Sequence, residues 1–214
     1  MNFRKFWKIE YSLTLFAIFA IFVLLLPTTI QNANQASLIS KWNEKYNSVN
    51  YMFSVLNKHS SEDIIKSLKK AETDEERSHL MILLVQPYLR ISKSGITNRH
   101  YKPRYMNKSR ISKDSEFYFN DFYYTENNTI IGIKDLEQKT PDDPMFMMMF
   151  DINGLMPPNR WGKDIFGVNI FSTEHIEPFG ANLDLSELKT DCSDKGLGVN
   201  CSYYYIIGGG FDEE

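Results

Sequence analysis

Histidine and cysteine, from which most metal sites and many active sites are built, are scarce in this chain: four histidines (His59, His79, His100, His175) and two cysteines (Cys192, Cys201) among 214 residues. No histidine stands within ten positions of either cysteine, so the sequence spells no Cys/His zinc set. Equally absent are the G-x-S-x-G elbow, the phosphate-binding loop and the H-E-x-x-H pair. What remains for acid–base chemistry is His175 with Glu174 and Glu177, and the pair Asp142 and Asp143, which read as isolated polar loop residues. An excess of positive charge is missing too, since 24 Lys and Arg face 27 Asp and Glu for a net charge of -3. That excludes a field able to neutralise phosphates, and nucleic acid as a partner with it. The chain is therefore read as non-enzymatic.

What is present is enough apolar material, 43% of residues with 14% aromatic, to bury one good core. Cys192 and Cys201 lie nine positions apart in a stretch holding Gly196, Gly198 and Asn200, a loop composition that fits a small disulfide-closed loop on the outer side of a membrane. Near the start, Arg4, Lys5 and Lys8 precede an apolar run in which residues 13–26 carry no charge and only Thr14 is polar. With Tyr11, Ser12 and Pro27 there are 17 uncharged positions, at the lower limit for a membrane-spanning helix. Lys8 would snorkel to the headgroups, and the basic residues place the first positions in the cytoplasm and the rest outside. A cleaved signal peptide has the same general layout. It fits less well, because Gln31 and Asn34 stand where a small residue should precede Ala33 and Ala36, and because a carboxylate, Glu10, sits at the membrane entrance.

Taken as a unit, Phe6, Glu10 four residues later, an unbroken apolar stretch and then Pro27 resemble the type IV pilin and pseudopilin family. The resemblance implies that Phe6 starts the processed chain, that Glu10 pairs with the terminal amine of a neighbouring subunit, and that Pro27 kinks the helix. In that family cleavage follows a glycine, whereas Lys5 precedes Phe6 here. The implied organisation is a short basic leader at 1–5, a transmembrane helix at 6–27, its continuation at 28–58 and an extracytoplasmic head at 59–214. The implied location is the bacterial inner membrane, with the head in the periplasm. The implied partners are other pilin-like subunits and secretion or pilus assembly proteins.

Beyond Pro27, Leu38, Ile39, Trp42, Tyr46, Val49, Met52, Phe53 and Leu56 recur at steps of three and four, one face of a helix that must pack on a partner surface. Ser60 and Ser61 suggest a helix start, with Ile64, Ile65, Leu68 and Ala71 on one face. Thr73 and Glu76 suggest a capping box for a further helix that Pro87 kinks or ends. Residues 91–113 read as a basic, solvated loop or a protein-docking surface. Strands are expected from about Glu116 to Tyr124, at 129–133, 145–152, 164–171 and 202–207, with Met145, Met147, Met148 and Met149 filling both faces of the sheet. Gly208, Gly209 and Gly210 read as the flexible end of the last strand. Helices first and strands afterwards give an α+β class: a long N-terminal helix, running from the membrane into the head, packed on an antiparallel β-sheet.

The most distinctive stretch of the head runs from Asp151 through Asn153, Gly154, Pro157, Asn159 and Gly162 to Asp164 and Phe166, and it too resembles pilin-like secretion proteins. Asp151, Asn153 and Asp164 offer side-chain oxygens beside a glycine turn, a candidate Ca²⁺ site. The alternative is an Asx-type turn in which Asp151 and Asn153 satisfy local backbone donors and Gly154 takes a positive φ. No cofactor is certain. The reading that follows is a subunit of a type II secretion or type IV pilus-like fibre; its rival is a membrane-anchored or secreted binding module that uses the 91–113 stretch or the Asp151 loop.

Overall fold

The computed structural model describes residues 3–59, 63–97 and 101–210; the side chains of residues 3–10, 22, 24–32 and 93–97 are outside that description. The chain divides into two units, Met1–Ser37 and Leu38–Glu214. Phe6, Glu10 and Pro27 fall on the backbone of helix α1 (Phe3–His59), and their side chains lie outside the described residues.

In the first unit, Leu13, Leu15, Phe16, Ile18, Phe19, Ile21 and Val23 are 48% to 71% exposed. At about 100° per residue these positions surround the helix with no gap wider than about 80°. Among the described residues no helix is long and apolar enough to cross a membrane; the side chains of Phe22 and of residues 24–26, which belong to the apolar run in the sequence, lie outside that description.

The second unit is α+β, as the order of patterns suggests. Six strands, β1 (Ile91–Thr97), β2 (Asp121–Thr125), β3 (Ile130–Asp135), β4 (Phe146–Asp151), β5 (Ile165–Ile170) and β6 (Ile176–Pro178), form an antiparallel meander in sequence order. Period-two alternation along β4 decides which core each side chain enters. Phe146, Met148 and Phe150 face a core shared with Trp42, Val49, Met52, Phe53 and Leu56 of α1, with Leu38, Ile39 and Tyr46 partly buried against it. All eight residues of the expected helical face are therefore used. Met147 and Met149 face a second core with Tyr101, Phe119, Phe122, Trp161 and Phe179. Both sheet faces are covered, as the irregular methionine spacing requires.

Helices α2 (Ile64–Leu68) and α3 (Asp74–Leu89) pack on the first face. Asp63, not the serines before it, caps α2 by accepting from the Ile65 N–H at 3.0 Å; residues 60–62 lie outside the described ones. The helix ends at Leu68, so Ala71 does not continue its face. Thr73 caps α3, accepting from the Glu76 N–H at 3.1 Å, which is one half of the expected capping box. Pro87 sits inside α3 and the helix runs on to Leu89, closed by Arg90 in the left-handed region at φ 51°. Lys69 Nζ at 2.5 Å and Arg77 Nε at 2.9 Å both reach the nearly buried Asp135 carboxylate, which fixes α2 and α3 to the end of β3.

Three expectations are corrected, and a fourth region carried no expectation. First, the stretch 202–207 is a helix, α5 (Cys201–Ile206), not a strand. Cys201, Ser202, Tyr204 and Tyr205 are all buried, a pattern of neighbours and i+4 partners that alternation cannot produce, and tyrosine's strand preference yields to that packing. Gly208, Gly209 and Gly210 accordingly follow a helix. Second, residues 91–97 of the expected basic loop form β1, an edge strand paired only with β2 and shifted in register between Ile91 and Gly95; its polar composition is that of an exposed edge. Third, Phe117 and Phe119 precede β2 instead of belonging to it, and pack into the second core. Fourth, β6 and α4 (Leu185–Asp191) carry no apolar periodicity long enough to be read in advance.

Candidate functional site

Asp151 closes β4 and Asp164 immediately precedes β5. Asp151 pairs in register with Ile165, and the Ile152 N–H bonds the Asp164 carbonyl at 2.9 Å, so the intervening loop brings the two aspartates together. Both are fully buried. The Asp151 Oδ1 accepts from the Asn153 N–H at 3.3 Å, an Asx turn, and Gly154 follows at φ 69°. Its Oδ2 accepts from the Tyr101 hydroxyl at 2.5 Å. The Asp164 carboxylate accepts from two backbone N–H groups, Arg160 at 2.7 Å and Asn159 at 2.8 Å. The Asn159 carboxamide, oriented by its hydrogen bonds, donates to Gly154 O and Met156 O, each at 2.9 Å, and to Asp151 Oδ2 at 3.1 Å.

The three residues singled out for calcium, Asp151, Asn153 and Asp164, are therefore brought together. All four carboxylate oxygens accept from protein donors, three of them backbone N–H groups and one the Tyr101 hydroxyl, while the Asn153 Oδ1 is buried with no partner among the described residues. Among the described residues no group of three or more His, Cys, Asp or Glu side chains could hold a metal ion. Burial raises the Asp164 carboxyl to about 6 against the pull of its backbone donors. Burial, and then the Asp164 charge, push Asp151 well above the ordinary carboxylate range. Burial, and then the Asp151 charge, push Tyr101 up as well.

The second expected feature is also present. Cys192 and Cys201 form a disulfide with Cα atoms 5.4 Å apart. Just before the loop they close, Asp191 gathers three backbone donors from it: Leu197 N at 2.9 Å and Gly198 N at 3.1 Å on Oδ1, and Asn200 N at 2.8 Å on Oδ2. What the sequence does not disclose is that this loop and the Asp151 loop interlock. A Cβ on Gly162 would stand 2.8 Å from Cys201 Sγ and 2.7 Å from Gly198 O, and the Tyr205 hydroxyl donates to Gly162 O at 3.1 Å. Only glycine permits so close an approach at φ 73°. Ser202 joins the clasp to the rest of the core: its Oγ accepts from Gly167 N at 2.9 Å, and its carbonyl accepts from Trp42 Nε1 at 2.8 Å. Neither Ser202 nor Gly162 belongs to a chemical motif, so no local signal marks them.

Breaking the disulfide in the full chain is expected to cost about 2.5 kcal/mol through restored freedom of the unfolded loop. Urea midpoints of the wild type and of a Cys192→Ser/Cys201→Ser protein check this, and equal midpoints would contradict it.

The remaining acid–base candidates are exposed or half-buried. His175 Nε2 meets Glu177 Oε1 at 2.8 Å on the surface, Glu174 Oε1 accepts from Asn57 at 3.1 Å, and Asp143 caps a turn through the backbone N–H groups of Lys139 and Thr140. Those turn hydrogen bonds hold the Asp143 carboxyl below its usual range. A comparison of the chain with family models, curated proteins and solved structures gives no match.

Proposed function

We propose that this chain is a non-enzymatic, pilin-like subunit of a type II secretion or type IV pilus-like fibre, held in the bacterial inner membrane by its N-terminal helix until it is assembled. One observation carries the reading: large apolar side chains from Leu13 to Val23 stand exposed on every side of helix α1. A helix that is apolar all round needs an apolar surrounding, either lipid or a bundle of like helices, and a fibre subunit occupies each in turn. The disulfide adds support for an extracytoplasmic head. Phe6, Glu10 and Pro27 supply the assembly determinants by resemblance. Glu10 on this reading pairs with the terminal amine of a neighbour in an apolar setting, where a charge without a partner is costly and the pairing therefore orients the incoming subunit.

In a reconstituted or native fibre system, Glu10→Ala is expected to lower the subunit recovered in sheared fibres by about tenfold or more, as loss of a desolvated charge pair implies, with tryptophan fluorescence unchanged. Wild-type incorporation of that variant would overturn the assignment. Mass spectrometry of membrane-extracted protein is expected to find a chain starting at Phe6.

A further inference from the structure

The polar stretch after β1 builds a cavity. Side chains between Tyr101 and Phe119, with Phe122 of β2 at the second face of the sheet, line a cavity of about 440 Å³, within the roughly 300–1,000 Å³ typical of ligand sites. Four exposed cations, Lys102, Arg104, Arg110 and Lys113, stand around it, half-buried Phe117 and Tyr118 form its walls, and no carboxylate lines it. Arg104 is bridged through its backbone to Arg110 on one side and to Arg160 on the other. Like charges on facing positions of paired segments repel. Among the described residues, none of Lys102, Arg104, Arg110, Lys113 and Arg160 forms an ion pair. Arg104 Nη1 donates to the Lys108 carbonyl at 3.0 Å, which orients the guanidinium without neutralising it. A bound anion would offset that repulsion.

We propose that this cavity is a docking site for an acidic peptide segment bearing an aromatic side chain, its occupant being residues 211–214 of a second copy of the chain. That segment reads Phe211, Asp212, Glu213, Glu214 and directly follows Gly208, Gly209 and Gly210. It brings one ring for the apolar walls and three carboxylates for the cationic rim. Arginine forks take carboxylates two-pronged, and a ring among aromatic and guanidinium groups adds stacking and cation–π attraction. An anionic lipid surface would satisfy the rim and leave the walls unfilled, which favours the peptide. The proposal does not rest on the fibre reading.

The test is fluorescence anisotropy of a dye-labelled peptide with the sequence of residues 208–214, titrated with the full-length protein in detergent micelles. Saturable binding is expected, weakening as salt screens the charges. Arg110→Glu and Lys113→Glu, each exposed and checked for an unchanged melting temperature, are expected to weaken it about tenfold or more. A peptide with Phe211→Ala is expected to bind more weakly, and one with Glu213→Lys to regain affinity for the Arg110→Glu protein. Absence of saturable binding overturns the proposal, as does binding indifferent to both charge reversals. Retention of the protein on phosphatidylglycerol vesicles through Arg110 and Lys113, with no peptide binding, assigns the cations to lipid and likewise overturns it.

Discussion

Trp42→Ala is expected to remove about 3–5 kcal/mol from the stability of the Leu38–Glu214 unit, the range for truncating a large buried aromatic. The Trp42 ring is completely buried and stacks on Phe166 with centroids 5.0 Å apart, while Phe150 and Tyr46 close two further sides at 6.3 Å and 5.9 Å. Alanine would leave a cavity among side chains that sheet and helix hold in place, so collapse could recover little of the loss. The indole also donates to the Ser202 carbonyl at 2.8 Å, and its removal leaves a buried acceptor without a partner. Trp42→Phe separates the two contributions, since it keeps most of the ring contact and loses the donor, at an expected cost of about 1–2 kcal/mol. Urea midpoints of the full chain in detergent measure both. The exposed Tyr51→Ala is the control, and a Trp42→Ala loss no larger than that of the control would contradict this account of the core.

The same tryptophan shows which parts of the fold could be read in advance. Trp42 belongs to a run of eight apolar residues spaced at three and four, and such a run defines a helical face without reference to its partner. The methionines of β4 were legible for a related reason: an element apolar on both sides must be covered on both sides. The identity of the cover was not legible. Tyr101, Phe119 and Trp161 come from irregular segments, where no period links residues to a face. Helix α5 was misread because three consecutive tyrosines favour a strand locally, while the Cys201 disulfide and the burial of Tyr204 and Tyr205 together impose a helix. The Asp151 loop announced itself through Asp, Asn and Gly at turn spacing, and its choice between cation and backbone donors depended on where Tyr101 and the Arg160 amide lie. Those positions are set by contacts across 50 residues of chain in the case of Tyr101, beyond the reach of any local pattern.

Raising the pH from about 4 to about 6 is expected to destabilise the head through Asp164. Its carboxyl titrates at about 6 in the folded chain against an ordinary 3.8, because burial outweighs the two backbone donors. In that window the folded chain binds more protons than the unfolded one, so the unfolding free energy falls as pH rises: the contribution is complete below pH ~3, lost progressively, and level above pH ~7. A shift of this size corresponds to about 3 kcal/mol. Asp151, displaced upward by burial and by the Asp164 charge, acts in the same direction. Exposed carboxylates such as Asp143, held low by turn hydrogen bonds, act oppositely, so the total pH profile mixes both signs. A difference between proteins isolates the buried group. Asp164→Asn keeps one acceptor for the Asn159 and Arg160 N–H groups and cannot ionise, so its stability relative to wild type should climb by about 2 kcal/mol between pH 4 and 6, part of a total of about 3 kcal/mol, and stay constant above pH ~7. Urea midpoints at several pH values supply that difference. Parallel curves for the two proteins would mean that the Asp164 carboxyl titrates near its ordinary value in the folded chain, and that the clasp around it admits water.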